Sequence, residues 1–396
     1  MKIRNTIYLD HQSTTPVDAT VLAEMTPYFA EMFGNPHSVD HCLGWESVRA
    51  IEDAAAHVAR LIGADVDEIT FTSGATESNN LALLGLGRRC CAGRKRRRVL
   101  ISAIEHKCVH AIGRILQEQH NFSIEQIPVD RMGFVELSAL EESLDDDVLV
   151  VSVMAVNNEI GTIQNVKRIS ELARCHGVIF HCDAAQAPLG MNMSRIADYV
   201  DILSLSAHKM YGPKGIGIIY VSRALQGNIE PLIYGGGQQN GLRSGTVPVP
   251  LCVGMGAAAR ILLADDAEEK RAQLRSLRDT FIDKLNQLAW PTVVNGPDGQ
   301  ARHAGNVNVQ FVGFSAHDVL NVLQPHLAAS TGSACSSGIP EPSHVLKAIG
   351  LSSDEAESSV RFSLGFGTSN EDIEDAVGLI EEGLTRLSKA GLMRPA

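Results

Sequence analysis

The sequence predicts an α/β protein in which a mostly parallel sheet is covered by helices on both faces. Between about residues 68 and 221, short apolar runs rich in β-branched residues alternate with amphipathic stretches. Strands and crossover helices alternate in this way in parallel sheets. The chain has 396 residues, which is more than one hydrophobic core usually organises, so a second domain is expected.

The first region contains six predicted strands and three predicted helices. The strands are Glu68–Thr72, Val99–Ala103, Val148–Met154, Val178–Cys182, Ile202–Ser206 and Ile216–Val221. The helices are Glu77–Leu86, Val109–Gln119 and Lys167–Cys175. Because ligand-binding loops follow the carboxyl ends of parallel strands, we expect the functional residues there.

The second region begins with a long charged helix at about Ala264–Ala289. After it we predict a strand, a helix, a Ser/Gly-rich loop, a strand and a closing helix, at Gly305–Phe311, Ala316–Leu323, Ser330–Pro342, Ser358–Leu364 and Glu371–Ser388. This order indicates a smaller α+β unit. We therefore predict a large domain over residues 13–260 and a small domain formed by residues 1–12 and 261–396, with the loop at about 330–342 in the small domain.

The composition is that of an ordinary globular protein, with 44% hydrophobic and 20% charged residues. The formal net charge of -12 gives no electrostatic reason to expect binding to nucleic acid or to an anionic membrane. The longest apolar stretch, Val148–Val156, is shorter than the roughly 20 residues that span a bilayer. No signal-peptide pattern precedes Ile7, so we expect a cytoplasmic protein.

The eight cysteines show neither the spacing of a disulfide framework nor a Cys-x-x-Cys pair. We therefore expect thiols rather than disulfides. The segments 106–110 (His-x-Cys-x-His) and 181–183 (His-Cys-Asp) lack the paired ligand spacing of a zinc site, and no metal is expected.

The first candidate for catalysis is Lys209, which follows the predicted strand Ile202–Ser206 in the segment Ser-Ala-His-Lys. Burial lowers the pKa of a lysine and leaves a neutral, nucleophilic amine, which Schiff-base chemistry requires. Taken alone, the pattern also fits an exposed loop lysine. Lys214, in a Pro-Lys-Gly turn, is the competing lysine.

Two further segments could bind parts of a cofactor. Residues 73–77, Ser-Gly-Ala-Thr-Glu, end a strand, turn at glycine and begin a helix. The N–H groups and positive dipole of a helix N-terminus suit a phosphate, although a plain helix cap explains the segment equally well. Asp183 ends an apolar strand, where its carboxylate could pair with a pyridine nitrogen or cap a helix.

Together these segments resemble the NifS/IscS-like cysteine desulfurases, class V members of the fold-type I enzymes that use pyridoxal phosphate (PLP). The matching segments are Ser-Gly-Ala-Thr-Glu-Ser at 73–78, Asp-Ala-Ala-Gln at 183–186 and Ser-Ala-His-Lys at 206–209. The resemblance continues in order along nearly the whole chain, through segments that begin at Tyr8, Phe33, Glu105, Val156, Gly235, Gly332 and Arg361. It implies the PLP-dependent transferase fold of type I and PLP as the cofactor.

The resemblance also implies a role for each matching residue. Lys209 would carry PLP, and His106 would stack on its ring and move protons. The other implied cofactor-binding residues are Ala75, Thr76, Asn158, Asp183, Gln186, Ser206, Ala207 and His208, with Thr246 reaching the phosphate of a partner subunit. That reach implies a homodimer with shared active sites. The implied substrate-binding residues are Asn35, Asn158 and Arg361, whose planar guanidinium suits a carboxylate.

Cys335 lies in a segment of small residues, Ser-Thr-Gly-Ser-Ala-Cys at 330–335, and the resemblance makes it the nucleophile that receives sulfur. The implied reaction converts L-cysteine to L-alanine and leaves a persulfide on Cys335, whose thiolate is the attacking form. A scaffold or sulfur-carrier protein would then take the sulfur for iron–sulfur clusters or for thiolated cofactors or tRNA. The sequence leaves the acceptor open.

Three other functions are alternatives to this one. A selenocysteine lyase or another class V aminotransferase would share Lys209 without needing Cys335. A non-enzymatic scaffold subunit would keep the fold without binding PLP. A dinucleotide-dependent dehydrogenase is disfavoured, because the Gly-rich segments do not follow an early strand as a Gly-x-Gly-x-x-Gly turn would.

Overall fold

The computed structural model describes residues 1–91, 96–332 and 342–393. The strands are β1 (Lys2–Ile3), β2 (Thr6–Tyr8), β3 (Ile69–Thr72), β4 (Arg98–Ser102), β5 (Ser123–Ile127), β6 (Val148–Ser152), β7 (Ile179–Asp183), β8 (Ile202–Ser206), β9 (Gly217–Val221), β10 (Thr292–Asn295), β11 (Asn306–Phe311), β12 (Leu327–Ala328) and β13 (Ser359–Ser363). The helices are α1 (Ala19–Met25), α2 (Pro27–Ala30), α3 (Cys42–Ile62), α4 (Ala75–Cys91), α5 (Lys107–His120), α6 (Leu137–Ser143), α7 (Val166–Cys175), α8 (Ala187–Gly190), α9 (Val249–Leu263), α10 (Ala267–Leu285), α11 (Ala316–Leu323), α12 (His344–Ala348), α13 (Ser353–Glu357) and α14 (Asn370–Lys389). Among the described residues, no helix has both the length and the apolar character needed to cross a bilayer.

A seven-stranded sheet forms the centre of the larger part, with the order β3-β9-β8-β7-β6-β4-β5. β9 is antiparallel to both of its neighbours, whereas the other adjacent strands are parallel. Six of the seven strands therefore point the same way, and their carboxyl ends share one edge. Every residue of β6, β8 and β9 is buried, which is why the sequence shows continuous apolar runs there.

Helices cover both faces of this sheet. On one face, Val151 of the sheet belongs to the same apolar cluster as Val58 of α3 and Met255 of α9. α3 and α9 approach closely, because a Cβ added at Gly256 would lie 2.6 Å from the Cα of Ala54. The cluster that includes α4 and α5 contains Leu83, Leu86, Ile112, Leu116, Val150 and Ile219.

A second apolar cluster surrounds the sheet β10-β11-β13, in which both strand pairs are antiparallel. It combines residues of α10, α11 and α14 with Leu9, which directly follows β2. The rings of Phe281 and Phe362 meet edge to face within it, with centroids 5.3 Å apart. This packing supports the proposed small domain, although the proposed boundary at residue 260 lies inside α9, which ends at Leu263.

The six strands predicted for the large sheet are present, with ends that differ by no more than two residues from the predicted ones. β5 was not predicted, because this edge strand reads Ser-Ile-Glu-Gln-Ile and is only partly buried. α3 was also not predicted, because it precedes the region where strands and helices alternate. The charged helix expected at Ala264–Ala289 is α10, which runs from Ala267 to Leu285.

The same substitution at two helical glycines is expected to change stability in opposite directions. Gly256→Ala places a Cβ 2.6 Å from the Cα of Ala54, so α3 and α9 must separate, and we expect a loss of about 1–3 kcal/mol. Gly378 of α14 has open space at the corresponding position, so Gly378→Ala should gain about 0.5–1 kcal/mol from helix propensity. Urea unfolding measures both changes. An unchanged free energy of unfolding in Gly256→Ala would contradict the close helix contact.

Candidate active site

A cavity of about 830 Å³ opens at the edge where the parallel strands of the large sheet end. Segments that follow the carboxyl ends of β3, β4, β6, β7 and β8 line it, as expected for this kind of sheet. Ten of the site residues expected from the sequence lie in its wall: Ala75, Thr76, His106, Asn158, Asp183, Gln186, Ser206, His208, Lys209 and Arg361. Within the three described ranges, no group of three or more His, Cys, Asp or Glu residues is arranged to hold a metal ion.

The side chain of Lys209 enters the cavity from the turn after β8. Its Nζ donates hydrogen bonds to two backbone carbonyls, at 2.5 Å to Gln12 and at 2.7 Å to Ser13. Burial, with a smaller contribution from the positive charge of Arg361, lowers the pKa of Lys209 from 10.5 to about 8. Near that pH a large fraction of the amine is neutral and nucleophilic. The competing Lys214 is exposed on its turn.

Thr15 fixes the turn that carries Lys209. The carbonyl of His208 accepts the N–H of Thr15 at 2.8 Å and its hydroxyl at 3.1 Å. The Oγ1 of Thr15 accepts the N–H of Tyr211 at 2.8 Å. Tyr211 has a φ of 66°, which is unusual for a bulky residue, and its hydroxyl accepts the N–H of Phe366 at 2.7 Å. The position of Lys209 therefore depends on chain segments from both ends of the sequence.

The turn between β3 and α4 forms a cradle of backbone N–H groups. Ala75 and Thr76 are the first residues of α4, so their N–H groups have no acceptor within the helix and are free to bind an anion. Gly74 has a φ of 150°, and a Cβ at Gly217 of β9 would lie 2.6 Å from the Cα of Gly74. The cradle is completed on the side of β8 by Ser206, which also lines the cavity.

His208 lies beside this cradle and is neutral at physiological pH. Burial, with a smaller contribution from Lys209, lowers the pKa of His208 to about 4. The Nδ1 of His208 lies 3.2 Å from the Oγ1 of Thr14. A neutral imidazole can still donate one ring N–H to a phosphate oxygen.

Asp183, the last residue of β7, uses both of its carboxylate oxygens. Oδ2 accepts Nδ2 of Asn79 at 2.7 Å, and Oδ1 accepts the N–H of Ala185 at 2.9 Å. The second bond caps the following turn, which is the alternative role considered for this residue. Because the carboxylate also lines the cavity, capping and cofactor binding are compatible.

His106 likewise combines a structural position with a place in the cavity. It is the N-cap of α5, where its Nδ1 accepts the N–H of Cys108 at 3.1 Å. Nδ1 is thus an acceptor, so in the neutral ring the proton is on Nε2. Burial lowers the pKa of His106, partly opposed by the charge of Asp183.

Arg361, in β13, is only 3% exposed. Its Nη1 donates to the carbonyl of Asn158 at 2.7 Å. Its Nη2 lies 2.9 Å from Oδ1 of Asp10, 2.7 Å from Oγ of Ser13 and 3.0 Å from Oγ of Ser330. Nε is buried and has no partner among the described residues. Leaving a buried donor unsatisfied costs about 1–3 kcal/mol, so the guanidinium is prepared for an anion that enters the cavity.

Four predicted site residues are not found in the cavity wall. Asn35 is exposed between α2 and α3, and its Oδ1 accepts the N–H of His37 at 2.9 Å in a local turn. Ala207 is fully buried in the turn after β8 and is not among the residues that line the cavity. Thr246 is exposed on the loop before α9. Cys335 lies outside the described residues.

Several side chains that line the cavity had no role in the sequence analysis, among them Gln12, Ser13, Asn79 and His344. The segment 10–15, Asp-His-Gln-Ser-Thr-Thr, is a run of polar residues soon after a strand. This position in the sequence could have marked the segment as a candidate part of the site. Asn79 lies one turn inside a helix whose N-terminus was already a candidate. His344 had no comparable signal, because only the folded chain brings α12 to the end of β4.

The chain is similar to proteins of known family over most of its length. The model of the class-V aminotransferases matches residues 7–375. The chain belongs to the class-V aminotransferase family. A protein named cysteine desulfurase IscS, from Rickettsia akari, is 43% identical over 387 residues, which cover 97% of this chain and 92% of that protein.

The chain is also similar to solved structures over most of its length. A NifS-like protein superimposes with a TM-score of 0.89 at 34% identity, over 96% of this chain and 100% of the other. SspA in complex with cysteine superimposes with a TM-score of 0.78 at 35% identity, over 90% and 98% of the two chains. The predicted resemblance to NifS/IscS-like proteins and the predicted fold class are confirmed.

Enzymes of this family depend on PLP, and the residues of the cavity fit that cofactor. The neutral amine of Lys209 suits the aldehyde of PLP, and the free N–H groups of residues 75 and 76 suit its phosphate. Asp183 is 5% exposed and ends a central strand within the same cavity, where its carboxylate suits a protonated pyridine nitrogen.

Proposed function

We propose that this protein is a cysteine desulfurase, which converts L-cysteine to L-alanine and retains the sulfur as a persulfide on Cys335. The observation that carries the proposal is the meeting of the Lys209 amine and the Arg361 guanidinium in one cavity. PLP carried by Lys209 would bind the amine of a substrate and Arg361 would bind its carboxylate, and the two together suit an α-amino acid. The 43% identity to a protein named cysteine desulfurase IscS, and the structure of SspA with cysteine, support L-cysteine as that amino acid.

Bound PLP supplies an electron sink for the pair that remains when a proton leaves the α-carbon. Asp183, oriented by Asn79, would stabilise the positive charge on the ring nitrogen, and His106 would stack on the ring. Asn158 and Gln186 would hydrogen-bond the ring oxygen. Ala75, Thr76, Ser206 and His208 would hold the phosphate.

Arg361 orients the substrate. The carboxylate of L-cysteine accepts the unpaired Nε–H, and a second N–H of the same guanidinium makes the pair bidentate. Asp10 and Ser13 hold the guanidinium from behind, at 2.9 and 2.7 Å. With its carboxylate fixed, the α-carbon is presented to Lys209, whose neutral amine accepts the α-proton.

Cys335 is the proposed nucleophile. Its thiolate attacks the substrate sulfur, the S–S bond forms as the C–S bond breaks, and the carbon takes up a proton to become the methyl group of alanine. Gly332 lines the cavity, and Cys335 is three residues further along the chain. This short separation in sequence supports the proposed role.

The protein is proposed to be a homodimer in which Thr246 reaches the phosphate of the partner subunit. Thr246 does not line the cavity of its own chain, and it precedes α9, which packs on α1 and α3. These helices and their connections expose large apolar side chains: Leu22, Phe29, Phe33, Val39 and Trp45. Exposed large apolar side chains on neighbouring elements are typical of a protein interface.

The proposed sulfur acceptor is a sulfur-carrier or iron–sulfur scaffold protein, and the proposed compartment is the cytoplasm. Six described cysteines are free thiols, and a persulfide-forming cysteine also needs a reduced thiol to begin each cycle. A reducing compartment meets both conditions.

Product analysis with L-cysteine tests the function. We expect alanine and, in the presence of a thiol reductant, an equal amount of sulfide.

Lys209→Ala should lower kcat by about 10²–10⁴-fold because it removes the base. Arg361→Lys should raise KM by roughly 10–100-fold, because one charged hydrogen bond contributes about 1.5–3 kcal/mol.

Cys335→Ser should bind PLP normally and release no sulfide. Full sulfide release from this variant would instead indicate a lyase that needs no enzyme thiol, and no alanine from the unmodified protein would contradict the proposal.

Light scattering tests the dimer. We expect twice the 42.6 kDa mass of one chain, and Trp45→Asp should shift the protein toward the single-chain mass because it places a charge in the apolar surface. Val293→Asp is the matched control, since Val293 is an exposed apolar residue of β10 in the proposed small domain. A single-chain mass for the unmodified protein would contradict the homodimer.

A further inference from the structure

Glu77 places a negative charge beside the proposed binding site of the cofactor phosphate. It is the third residue of α4, directly after Ala75 and Thr76, and it lines the same cavity. The N-terminus of a helix attracts anions, so this carboxylate and a phosphate are drawn to the same positive end of α4. Without compensation, the charge of Glu77 would weaken the binding of the phosphate.

The carboxylate of Glu77 also fixes the turn that forms the cradle. Its Oε2 accepts the N–H of Ser73 at 2.8 Å. Ser73 is the residue before Gly74, where the chain turns from β3 into α4, and it lines the cavity as well. This bond requires an oxygen acceptor but not a negative charge, so the shape of the turn and the charge of Glu77 are separable.

Arg243 compensates the charge of Glu77. Its Nε donates to Oε1 of Glu77 at 2.9 Å, and its Nη2 lies 3.4 Å from Oε2. The two side chains are 20% and 16% exposed, so solvent screens this pair less than a surface ion pair. Burial opposes the charge of Glu77, but hydrogen bonds from Arg243 and Ser73 outweigh burial and lower the pKa of Glu77. The carboxylate is therefore ionised and paired.

The segment that carries Arg243 is attached to the strand that leads into the cradle. Oε1 of Gln239 accepts the N–H of Phe71 at 2.7 Å, and its Nε2 donates to the carbonyl of Phe71 at 2.9 Å. The same Nε2 lies 3.4 Å from the carbonyl of Arg243. β3 is an edge strand, so the amide of Gln239 occupies the place of a neighbouring strand. Arg243 and the cradle are thus held on one element.

We propose that Arg243 is a positioning residue for the cofactor phosphate, which neutralises Glu77 and holds its carboxylate on the N–H of Ser73. The N–H groups of Ala75 and Thr76 are then left to the phosphate, with no unpaired negative charge beside it. Arg243 acts through Glu77 and not by touching the cofactor. This inference rests on the proposed function only in its placement of the PLP phosphate at α4, and not in the fate of the sulfur.

The binding of PLP and of pyridoxal, which lacks the phosphate, tests the proposal. Each is titrated into the full-length chain freed of cofactor, and the absorbance of the bound ring gives Kd. We expect Arg243→Gln to raise the Kd for PLP by about 10-fold, because an unpaired, partly buried charge then repels the phosphate. The Kd for pyridoxal should change by less than about twofold, because pyridoxal has no phosphate for Glu77 to repel.

Two further variants separate the charge of Glu77 from its structural role. Glu77→Gln keeps an oxygen for the N–H of Ser73 but loses the charge, so it should bind PLP at least as tightly as the unmodified protein. The double variant Glu77→Gln/Arg243→Gln has no charge on either side, and its Kd for PLP should return to within about threefold of the unmodified value. If the pair were only structural, each single substitution would weaken binding and the double variant would not recover it.

Arg98→Gln is the matched control. Arg98 pairs with Glu125 at 2.6 Å and is likewise 20% exposed, but it begins β4, at the end of the strand away from the cavity, and does not line the cavity. Its Kd for PLP should equal that of the unmodified protein.

Three results would overturn the proposal. One is weaker PLP binding in Glu77→Gln, and another is an equal loss of PLP and pyridoxal binding in Arg243→Gln. The third is an unmodified protein that binds PLP no more tightly than pyridoxal, since the phosphate site would then be wrong. Alanine formation from L-cysteine is measured separately. Its absence would contradict the proposed function and leave these binding results intact.

Discussion

The two hydrogen bonds from the buried amine of Lys209 to the carbonyls of Gln12 and Ser13 tie the turn after β8 to the segment that follows β2. These two parts of the chain belong to different apolar clusters. A lysine can be kept out of water only if its donors are satisfied, and backbone carbonyls satisfy them without adding a negative charge that would raise the pKa. The amine is consequently both buried and reactive, and its position depends on the packing of both clusters.

The same principle governs the other charged groups of the cavity. Arg361 is almost fully buried, yet Asp10 and the carbonyl of Asn158 satisfy its outer nitrogens. For Glu105, burial and, to a smaller extent, the charge of Asp183 raise the pKa well above the ordinary value. Arg361 therefore keeps its positive charge at a place where a carboxylate would bind, which favours an anionic substrate group.

Much of this arrangement could be predicted from sequence because it is local. Ala75 and Thr76 lie at a helix N-terminus because a strand, a Gly-containing turn and a helix follow one another there. Asp183 lies at the end of a single strand. These features are encoded in stretches of a few residues. The family resemblance added roles for Asn158 and Arg361, which lie more than 200 residues apart in the sequence and meet at 2.7 Å in the fold.

The contacts that could not be predicted are the non-local ones. Gln12 and Asn306 share a 2.6 Å hydrogen bond, and no local pattern links these two residues. His344 reaches the cavity because Val345 and Leu346 of α12 pack into the cluster of the large sheet, although α12 belongs to the small domain predicted from sequence. The polar run 10–15 was visible in the sequence, but its function appears only when Lys209 is placed against it.

The fold keeps the amine of Lys209 buried, and about half of this amine is neutral near pH 8. Competitive acetylation of the protein freed of PLP, followed by digestion and mass spectrometry, measures the titration of this one amine. Lys214 in the same digest serves as the internal standard for reagent and recovery. Half-maximal reactivity of Lys209 near pH 8 is the predicted result, because burial and Arg361 lower its pKa from 10.5 to about 8. A titration centred near 10.5, the ordinary value for lysine, would contradict this account of the site.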